Sequence, residues 1–280
     1  DAYNKAVEMQ EKSGATFIHP FNDENVIAGQ GTIGLEILNQ LPDVDAVIVP
    51  VGGGGLISGV AFAIKSLNPN CKIYGVQASG APSMVQSLEH HKAECLAGVS
   101  TIADGIAVKE PGNLTFETCC KYVDEVVTVT DDEISTAILA LIEQQKLIAE
   151  GAGAVSVAAA MFNKIDIKGK KVVCLVSGGN IDVTILSRVI NRGLLKAGRS
   201  ADFTIELPDK PGQLQKVSTI IAGLGANVVA VHHDHAGEDA DITACYLRIS
   251  VETKDHHHVE TIKRELEKQG FRILEHKQTG

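Results

Sequence analysis

The sequence predicts an α/β domain followed by a smaller α+β domain. In the first part, strand-like apolar runs alternate with helix-compatible segments, as at residues 44–51 and 56–67. From residue 202 onward, short strands and two helical segments follow one another in the order βαββαβ. A chain of 280 residues, 44% of them hydrophobic, is long enough for two cores. We therefore predict two domains, residues 1–198 and residues 199–280.

The elements of the first domain follow from their apolar periodicity and their flanking residues. Residues 44–51 form an apolar run that begins just after Pro42, which predicts a buried strand. Residues 56–67 have the composition of an apolar helix, and residues 72–76 and 172–176 are further short apolar runs. This alternation is typical of a parallel sheet covered by helices.

The elements of the second domain are shorter and more polar. Residues 202–207 alternate between polar and apolar side chains, which predicts a half-buried strand. After a break at residues 209–212, apolar residues recur at helical spacing over residues 214–224. The remaining predicted elements are strands at 228–231 and 242–251 joined by a polar turn at 237–239, a helix at 258–268 and a strand at 271–274.

Composition excludes several classes of function. The net charge of −10 argues against nucleic-acid binding. No apolar run is long enough to cross a membrane, and no signal peptide is recognisable. The six cysteines have no metal-binding spacing, which suits reduced thiols. We therefore expect a cytoplasmic protein that binds small molecules.

Four consecutive glycines, Gly52, Gly53, Gly54 and Gly55, form the most informative stretch of the chain. They lie between a predicted strand and a predicted helix that begins at Leu56. Glycines at such a turn let several backbone N–H groups approach one small anion, and the helix dipole adds to the attraction. The pattern therefore predicts phosphate binding, because a plain tight turn needs only one or two glycines.

The phosphate is not predicted to belong to a nucleotide. In a Gly-x-Gly-x-x-Gly alignment the third glycine position falls on Ser58 or Ile57, and the next strand ends at Gln77 instead of an acidic residue. No Gly-Lys-Ser or Gly-Lys-Thr sequence follows the glycines, which excludes a P-loop.

Several segments together resemble a known family. In order and spacing, the chain is similar over about residues 1–197 to the fold-type II (tryptophan synthase β-like) enzymes that use pyridoxal 5′-phosphate (PLP). Within that group it resembles the threonine ammonia-lyases, also called threonine dehydratases. The matching segments are residues 20–23 with 26–32, 52–55, 101–105, 149–154 and 177–180.

The resemblance implies roles for particular residues around PLP. The glycine loop and Leu56 would bind the phosphate, and Ser177 with Gly178 would meet the pyridine nitrogen. A serine there leaves the ring nitrogen largely neutral, which suits β-elimination. Glu150 has apolar neighbours in sequence and would lie near the ring as a proton-handling group, although a solvent-facing helix-terminal glutamate is the alternative. Asp104 and Gly105 would lie beside the pyridine, or form an ordinary Asp-Gly turn.

The lysine that carries PLP as a Schiff base is expected to be absent from this chain. In the family it lies in a Ser-x-Lys-x-Arg-Gly-Ala-like motif, and none of the lysines here has that context. Lys65, the nearest to the glycines, lies at the far end of their helix. We therefore interpret the chain as a fragment that is inactive alone, with residues 1–10 similar to a late helix of the family's small domain.

The second domain resembles an ACT domain, a small module that typically binds an amino acid. The resemblance rests on Asp-Lys-Pro-Gly-x-Leu at residues 209–214 and Gly-Ala-Asn-Val at residues 225–228. It implies an effector site at a contact between two such domains. The predicted effector-binding residues are Pro211, Gly212, Gln213, Leu214 and Asn227.

The resemblance thus implies a PLP-dependent enzyme that converts L-threonine to 2-oxobutyrate and ammonia. An amino acid bound to the ACT domain would regulate it, with isoleucine as the natural candidate, in a homo-oligomer (dimer or tetramer). The alternatives are an L-serine dehydratase or serine racemase, and an amino-acid-binding regulatory fragment without catalysis. Gln77, Ala81 and Ser83 occupy the positions of the acidic cation ligands of eukaryotic serine racemases, which disfavours the racemase.

Two clusters of polar residues suggest metal binding, but we predict no metal site. His232, His233 and His235 lie at a strand end, where exposed imidazoles usually serve no ligand role. The acidic run that begins at Asp131 follows Thr130, and Thr130 with Glu133 forms a predicted capping box at a helix start.

Overall fold

The structure is a computed structural model, and its description covers residues 2–235 and 244–274. Contacts divide the chain into two compact units, the first ending at Val183 and the second beginning at Thr184. The helix Val183–Lys196 therefore groups with the second unit. The functional boundary between residues 198 and 199 stays a prediction.

The first unit is an α/β domain built on one parallel sheet. The sheet order is β3-β2-β1-β4, and every pair is parallel. Its strands are β1 (Ala46–Pro50), β2 (Lys72–Ala78), β3 (Glu125–Val129) and β4 (Val172–Cys174). Its helices are α1 (Ala2–Ser13), α2 (Glu24–Gln40), α3 (Gly55–Leu67), α4 (Ser83–Glu89), α5 (Asn113–Tyr122), α6 (Asp131–Ala140) and α7 (Gly151–Met161). This architecture confirms the predicted α/β class.

The glycine loop follows the carboxyl end of β1, a strand in the interior of the sheet. All five of its residues are buried, as expected for a strand with neighbours on both sides and helices on both faces. The strand and the helix after the glycines confirm the predictions for residues 44–51 and 56–67 to within two residues. Strand β4 ends at Cys174, two residues earlier than predicted.

Helices α2 and α3 pack unusually closely, through glycine. A Cβ atom on Gly59 of α3 would lie 2.2 Å from the carbonyl oxygen of Ile27 in α2. Helix α2 begins at an N-cap, where the carboxylate of Asp23 accepts hydrogen bonds from the N–H groups of Asn25 and Val26. Close contact with α2 therefore fixes the helix that follows the glycine loop.

The predicted capping box at Thr130 is confirmed. The Thr130 hydroxyl accepts from the N–H of Glu133 at 3.3 Å, and the Glu133 carboxylate accepts from the N–H of Thr130 at 2.8 Å. Helix α6 starts there and runs into a wider turn at Leu141–Gln145.

The second unit is an antiparallel βαββαβ domain preceded by one helix. It contains α8 (Val183–Lys196), β5 (Ser200–Pro208), α9 (Gln213–Gly223), β6 (Asn227–His235), β7 (Ala244–Glu252), α10 (His256–Lys268) and β8 (Arg272–Leu274). The sheet order is β6-β7-β5-β8. Alternate residues of β5, Phe203, Ile205 and Leu207, are buried against the two helices. The predicted order of elements is confirmed, while the predicted turn at 237–239 lies outside the described residues.

The described residues contain no helix that is both long and apolar enough to cross a membrane. Within the same ranges, no three His, Cys, Asp or Glu side chains are grouped so that they could bind a metal ion. His233 instead places Nε2 3.0 Å from the Sγ atom of Cys245 on the neighbouring strand.

We predict that the adjacent thiols of Cys119 and Cys120 differ sharply in reactivity. Cys119 is 1% exposed, and burial raises its pKa to about 12, whereas Cys120 is exposed to reagent although burial raises the pKa of its thiol as well. Because the thiolate is the nucleophile, iodoacetamide at neutral pH will label Cys120 and spare Cys119 in the folded chain. Peptide mass spectrometry measures both sites. In urea the two residues will be labelled alike, and equal labelling without urea would contradict the packing of α5.

Candidate functional site

A cavity of about 260 Å³ lies where the ends of β1 and β4 meet the loops of the first unit. Such crevices at the carboxyl ends of parallel strands are the usual ligand sites of α/β folds. Eight of the predicted site residues line it: Gly52, Gly53, Gly54, Gly55, Leu56, Gly105, Glu150 and Ser177. Asp104 and Gly178 stand outside this lining. The other lining residues, which sequence reasoning did not assign to the site, are Pro20, Phe21, Pro50, Ile106, Val108 and Ala152.

The glycine loop has one left-handed residue and a close contact with a neighbouring aromatic ring. Gly54 is the N-cap of α3 and has a φ of +95°, a conformation that favours glycine. A Cβ atom on Gly53 would lie 2.5 Å from the ring of Phe21. The first N–H groups of a helix have no carbonyl partner within the helix, and so those of α3 are suited to bind an anion.

Ser177 reaches the cavity because α7 packs directly against the loop after β4. A Cβ atom on Gly153 would lie 1.8 Å from the carbonyl oxygen of Ser177. The hydroxyl of Ser156, one turn further along α7, donates to the carbonyl oxygen of Leu175 at 2.6 Å. The small residues of α7 therefore fix the position of Ser177.

Glu150 lies at the N-cap of α7, with its carboxylate half-buried beside the cavity. One carboxylate oxygen accepts a hydrogen bond from the N–H of Asn180 at 2.9 Å. Gly178 has a φ of +78°, and a Cβ atom there would lie 2.4 Å from the other oxygen. The apolar neighbours in sequence thus do not leave this carboxylate isolated, because the loop at residues 178–180 folds over it. Gly178 shapes the site by supporting Glu150.

Asp104 and Gly105 form a single helical turn at Asp104–Ile106, and only Gly105 faces the cavity. Asp104 is exposed, and its carboxylate accepts from the N–H of Gly105 at 2.9 Å. The preceding residues are anchored to α6: the Thr101 hydroxyl donates to Asp131 at 2.6 Å, and the N–H of Ile102 donates to the same carboxylate.

Asp131 therefore has a role that sequence reasoning missed. The acidic run was assigned to helix entry, and Asp131 does lie in the first turn of α6. It also fixes the loop that carries Gly105. No local pattern connects two segments 30 residues apart, so only the tertiary contact reveals this role.

No lysine is among the residues that line the described cavity. Lys65 lies in the last turn of α3, where its ammonium group pairs with the carboxylate of Asp124 at 2.7 Å. This location agrees with the prediction that Lys65 lies at the end of its helix far from the glycines.

The predicted effector residues divide into two groups within the second unit. Residues 211–214 follow the Pro208 end of β5 and begin α9, whereas Asn227 begins β6 at the opposite end of the sheet. The nine residues of β5 separate these ends by about 26 Å, at roughly 3.3 Å per residue. Asn227 donates its side-chain N–H to Glu252 at 2.9 Å. One chain does not bring all five residues together.

Comparison with known families fits both units. The family described as pyridoxal-phosphate dependent enzyme matches residues 1–178, and the ACT domain matches residues 202–271. The chain therefore belongs to the pyridoxal-phosphate dependent enzymes and carries an ACT domain after the family's own domain.

The chain is also similar to individual enzymes and solved structures. An L-threonine ammonia-lyase of Thermotoga maritima is 54% identical over 273 residues, which cover 98% of this chain and 68% of the relative. The solved processed form of threonine deaminase isoform 2 from Solanum lycopersicum has a TM-score of 0.65 and 44% identity, over 69% of this chain and 53% of that one. Maize serine racemase has a TM-score of 0.63 and 38% identity, over 69% of this chain and 60% of that one. The chain thus spans about half to two thirds of each of these proteins.

The residues of the cavity fit the cofactor of the family. Glycine backbone and the start of α3 offer N–H groups for a phosphate. Ser177 offers a hydroxyl and Glu150 a carboxylate, while Ile106, Val108 and Ala152 provide apolar surface for a ring. A phosphorylated aromatic ring needs this combination of an anion cradle, an apolar wall and a polar contact.

We predict that Gly153→Ala damages the site, whereas Gly29→Ala does not. Both glycines lie in helices, but a Cβ atom on Gly153 would meet Ser177, and one on Gly29 would meet no atom within 4 Å. Gly29→Ala will raise the free energy of unfolding by about 1 kcal/mol through helix propensity. Gly153→Ala will lower it by roughly 1–3 kcal/mol through overpacking. Urea denaturation measures both, and equal effects would contradict the contact between α7 and Ser177.

Proposed function

We propose that this chain is part of a PLP-dependent L-threonine ammonia-lyase, which forms 2-oxobutyrate and ammonia from L-threonine. The observation that carries the proposal is one cavity that unites the glycine loop, Ser177 and Glu150. The 54% identity to an L-threonine ammonia-lyase and the ACT domain support the choice of reaction.

In the proposed site each group of residues has a distinct task. The N–H groups of the glycine loop and Leu56 would hold the phosphate of PLP, and the hydroxyl of Ser177 would hydrogen-bond to its ring nitrogen. Bound PLP supplies an electron-withdrawing ring that eases removal of the α-proton and loss of the β-hydroxyl of the substrate. Glu150 accepts or returns a proton at its carboxylate, and its bond from Asn180 keeps it oriented. Ile106 and Val108 exclude water from one wall.

A serine racemase is the second candidate, because maize serine racemase is among the similar structures. Gln77 near the end of β2, with Ala81 and Ser83 after it, favours the lyase. The side-chain oxygen of Gln77 accepts from the N–H groups of Met84 and Val85 at 2.9 and 3.0 Å, and its amide nitrogen lies 3.4 Å from the hydroxyl of Ser83. Gln77 therefore caps α4 with the oxygen that a cation would need, and Ala81 offers no side-chain ligand.

We further propose that the ACT domain binds an amino acid, with L-isoleucine as the first candidate, and that two copies form the site. Residues 211–214 and Asn227 lie at opposite ends of one sheet, so a bound amino acid would contact residues 211–214 of one copy and Asn227 of another. This arrangement would link effector binding to oligomerisation, and a coupling of about 1–3 kcal/mol is typical of such regulation.

The reaction is tested by comparing this chain with a chimera in which it replaces the matching part of the Thermotoga maritima enzyme. With PLP and L-threonine, we expect no 2-oxobutyrate from the chain alone, because no lysine lines the described cavity, and steady release from the chimera. Turnover by the chain alone would assign the chemistry to one of its own lysines. Faster racemisation of L-serine than deamination of L-threonine by the chimera would favour the racemase.

The effector site is tested with two glutamines of α9. We expect Gln213→Ala to weaken L-isoleucine binding by about fivefold to tenfold, the effect of one lost hydrogen bond, and Gln215→Ala to leave it unchanged. Titration calorimetry gives the dissociation constants, and sedimentation velocity shows whether binding and self-association rise together. Full binding by a monomer would contradict a site shared by two copies, and no binding of any amino acid would contradict regulation.

A further inference from the structure

The carbonyl group of Gly53 is bound on its outer side by helix α5. The hydroxyl oxygen of Thr115 lies 2.6 Å from the Gly53 carbonyl oxygen, and the N–H of Gly112 donates to the same oxygen at 3.3 Å. The Thr115 hydroxyl also lies 3.0 Å from the carbonyl oxygen of Gly112, so its single proton goes to the nearer acceptor, Gly53. Thr115 is fully buried.

The bond to Gly53 determines where the next N–H group points. In a trans peptide the C=O of one residue and the N–H of the next point in opposite directions, and none of the described peptide bonds is cis. Fixing the Gly53 carbonyl towards α5 therefore directs the N–H of Gly54 to the other side of the loop. Gly53 and Gly54 line the cavity and Thr115 does not, so that other side is the cavity.

Thr115 also restricts the residue that follows. A Cβ atom on Gly54 would lie 2.8 Å from the Cβ atom of Thr115, and Gly54 has a φ of +95°. The carbonyl oxygen of Thr115 in turn lies 3.4 Å from the hydroxyl of Ser58, in the first turn of α3. The side chain and the backbone of Thr115 thus both contact the start of α3.

We propose that Thr115 is a positioning residue that orients the N–H groups of the glycine loop towards the cofactor phosphate. The inference rests on the proposed PLP site and goes beyond it, because Thr115 touches neither cofactor nor substrate. Without its hydroxyl, the Gly53 carbonyl keeps only the longer hydrogen bond from the N–H of Gly112, and the orientation of the Gly53–Gly54 peptide is less tightly fixed.

The experiment uses the 280-residue chain with Thr115→Val, Thr115→Ser and Thr118→Val. Thr118 is the matched control, because its hydroxyl donates to the carbonyl of Leu114 within the same helix, at 2.7 Å. Pyridoxamine 5′-phosphate is the probe, because it cannot form a Schiff base with lysine and so reports the non-covalent site. Amide hydrogen exchange over residues 54–57, without ligand, measures the order of the loop.

We expect Thr115→Val to speed exchange at residues 54–57 and to weaken binding of pyridoxamine 5′-phosphate by about fivefold to tenfold. Binding of pyridoxamine, which has no phosphate, will not change. Thr115→Ser keeps the hydroxyl and will restore both properties, and Thr118→Val will behave like the unaltered chain. Unfolding curves of every variant show whether the fold is retained.

Two results would contradict the role of Thr115 without contradicting the proposed cofactor site. One is unchanged exchange at residues 54–57 in Thr115→Val, and the other is an equal loss of affinity for pyridoxamine and its phosphate ester. If Thr115→Val fails to fold, Thr115→Ser decides, because a loosened loop in that variant contradicts a role for the hydroxyl. Absence of pyridoxamine 5′-phosphate binding by the unaltered chain would count against the proposed cofactor site, and the inference would fall with it.

Discussion

Backbone segments around the cavity approach one another more closely than a Cβ atom would permit. The carbonyl of Ile27 lies against Gly59, the carbonyl of Ser177 lies against Gly153, and the ring of Phe21 lies against Gly53. In the first two contacts backbone lies against backbone, and in the third an aromatic side chain packs against the glycine loop. The glycines of the first unit thus act in packing, besides the phosphate binding proposed for the glycine loop. Substitution at these positions would displace the lining of the cavity even where no polar or charged group of the site is altered.

Side chains that do not line the cavity form hydrogen bonds to the segments that do, or to residues next to them. Thr115 in α5 bonds the glycine loop, Asp131 in α6 bonds the loop that carries Gly105, and Ser156 in α7 bonds the end of β4. These bonds connect loops to helices of the first unit, and removal of one partner would leave the other polar group without its hydrogen bond. A preorganised site requires such positioning, because a small displacement of a hydrogen-bonding group removes much of its contribution to binding and catalysis.

The ACT domain differs from the first unit, because its predicted effector residues are not brought together within one chain. A βαβ connection returns the chain to the starting end of the sheet, so the loop before α9 and the first residue of β6 are necessarily a strand length apart. Separation of this kind is a consequence of the fold itself. It makes self-association, proposed above, the simplest way to complete an effector site.

Much of the fold and part of the site could be predicted from the sequence, because the relevant signals are local. Apolar periodicity predicted β1, α3 and the βαββαβ order, and Thr130 with Glu133 predicted a helix start. Composition did not locate the strand ends: the apolar run continues to Val176, whereas the pairing of β4 with β1 ends at Cys174. Residues of the glycine loop, Glu150 and Ser177 were recognised from their motifs, and eight of the predicted residues line one cavity.

The sequence by itself determined the class of each domain, and it predicts that the glycine loop binds a phosphate and which types of side chain lie near that loop. Only the tertiary structure decided which of these groups face the cavity, that Gly178 supports Glu150, and that Asp104 points to solvent. It also decided that Thr115 and Asp131 are supports, and that Asn227 lies far from residues 211–214. The physical reason is that periodicity and turn chemistry act over a few residues. Contacts such as Thr115 with Gly53 join residues 62 positions apart and exist only once the helices have packed.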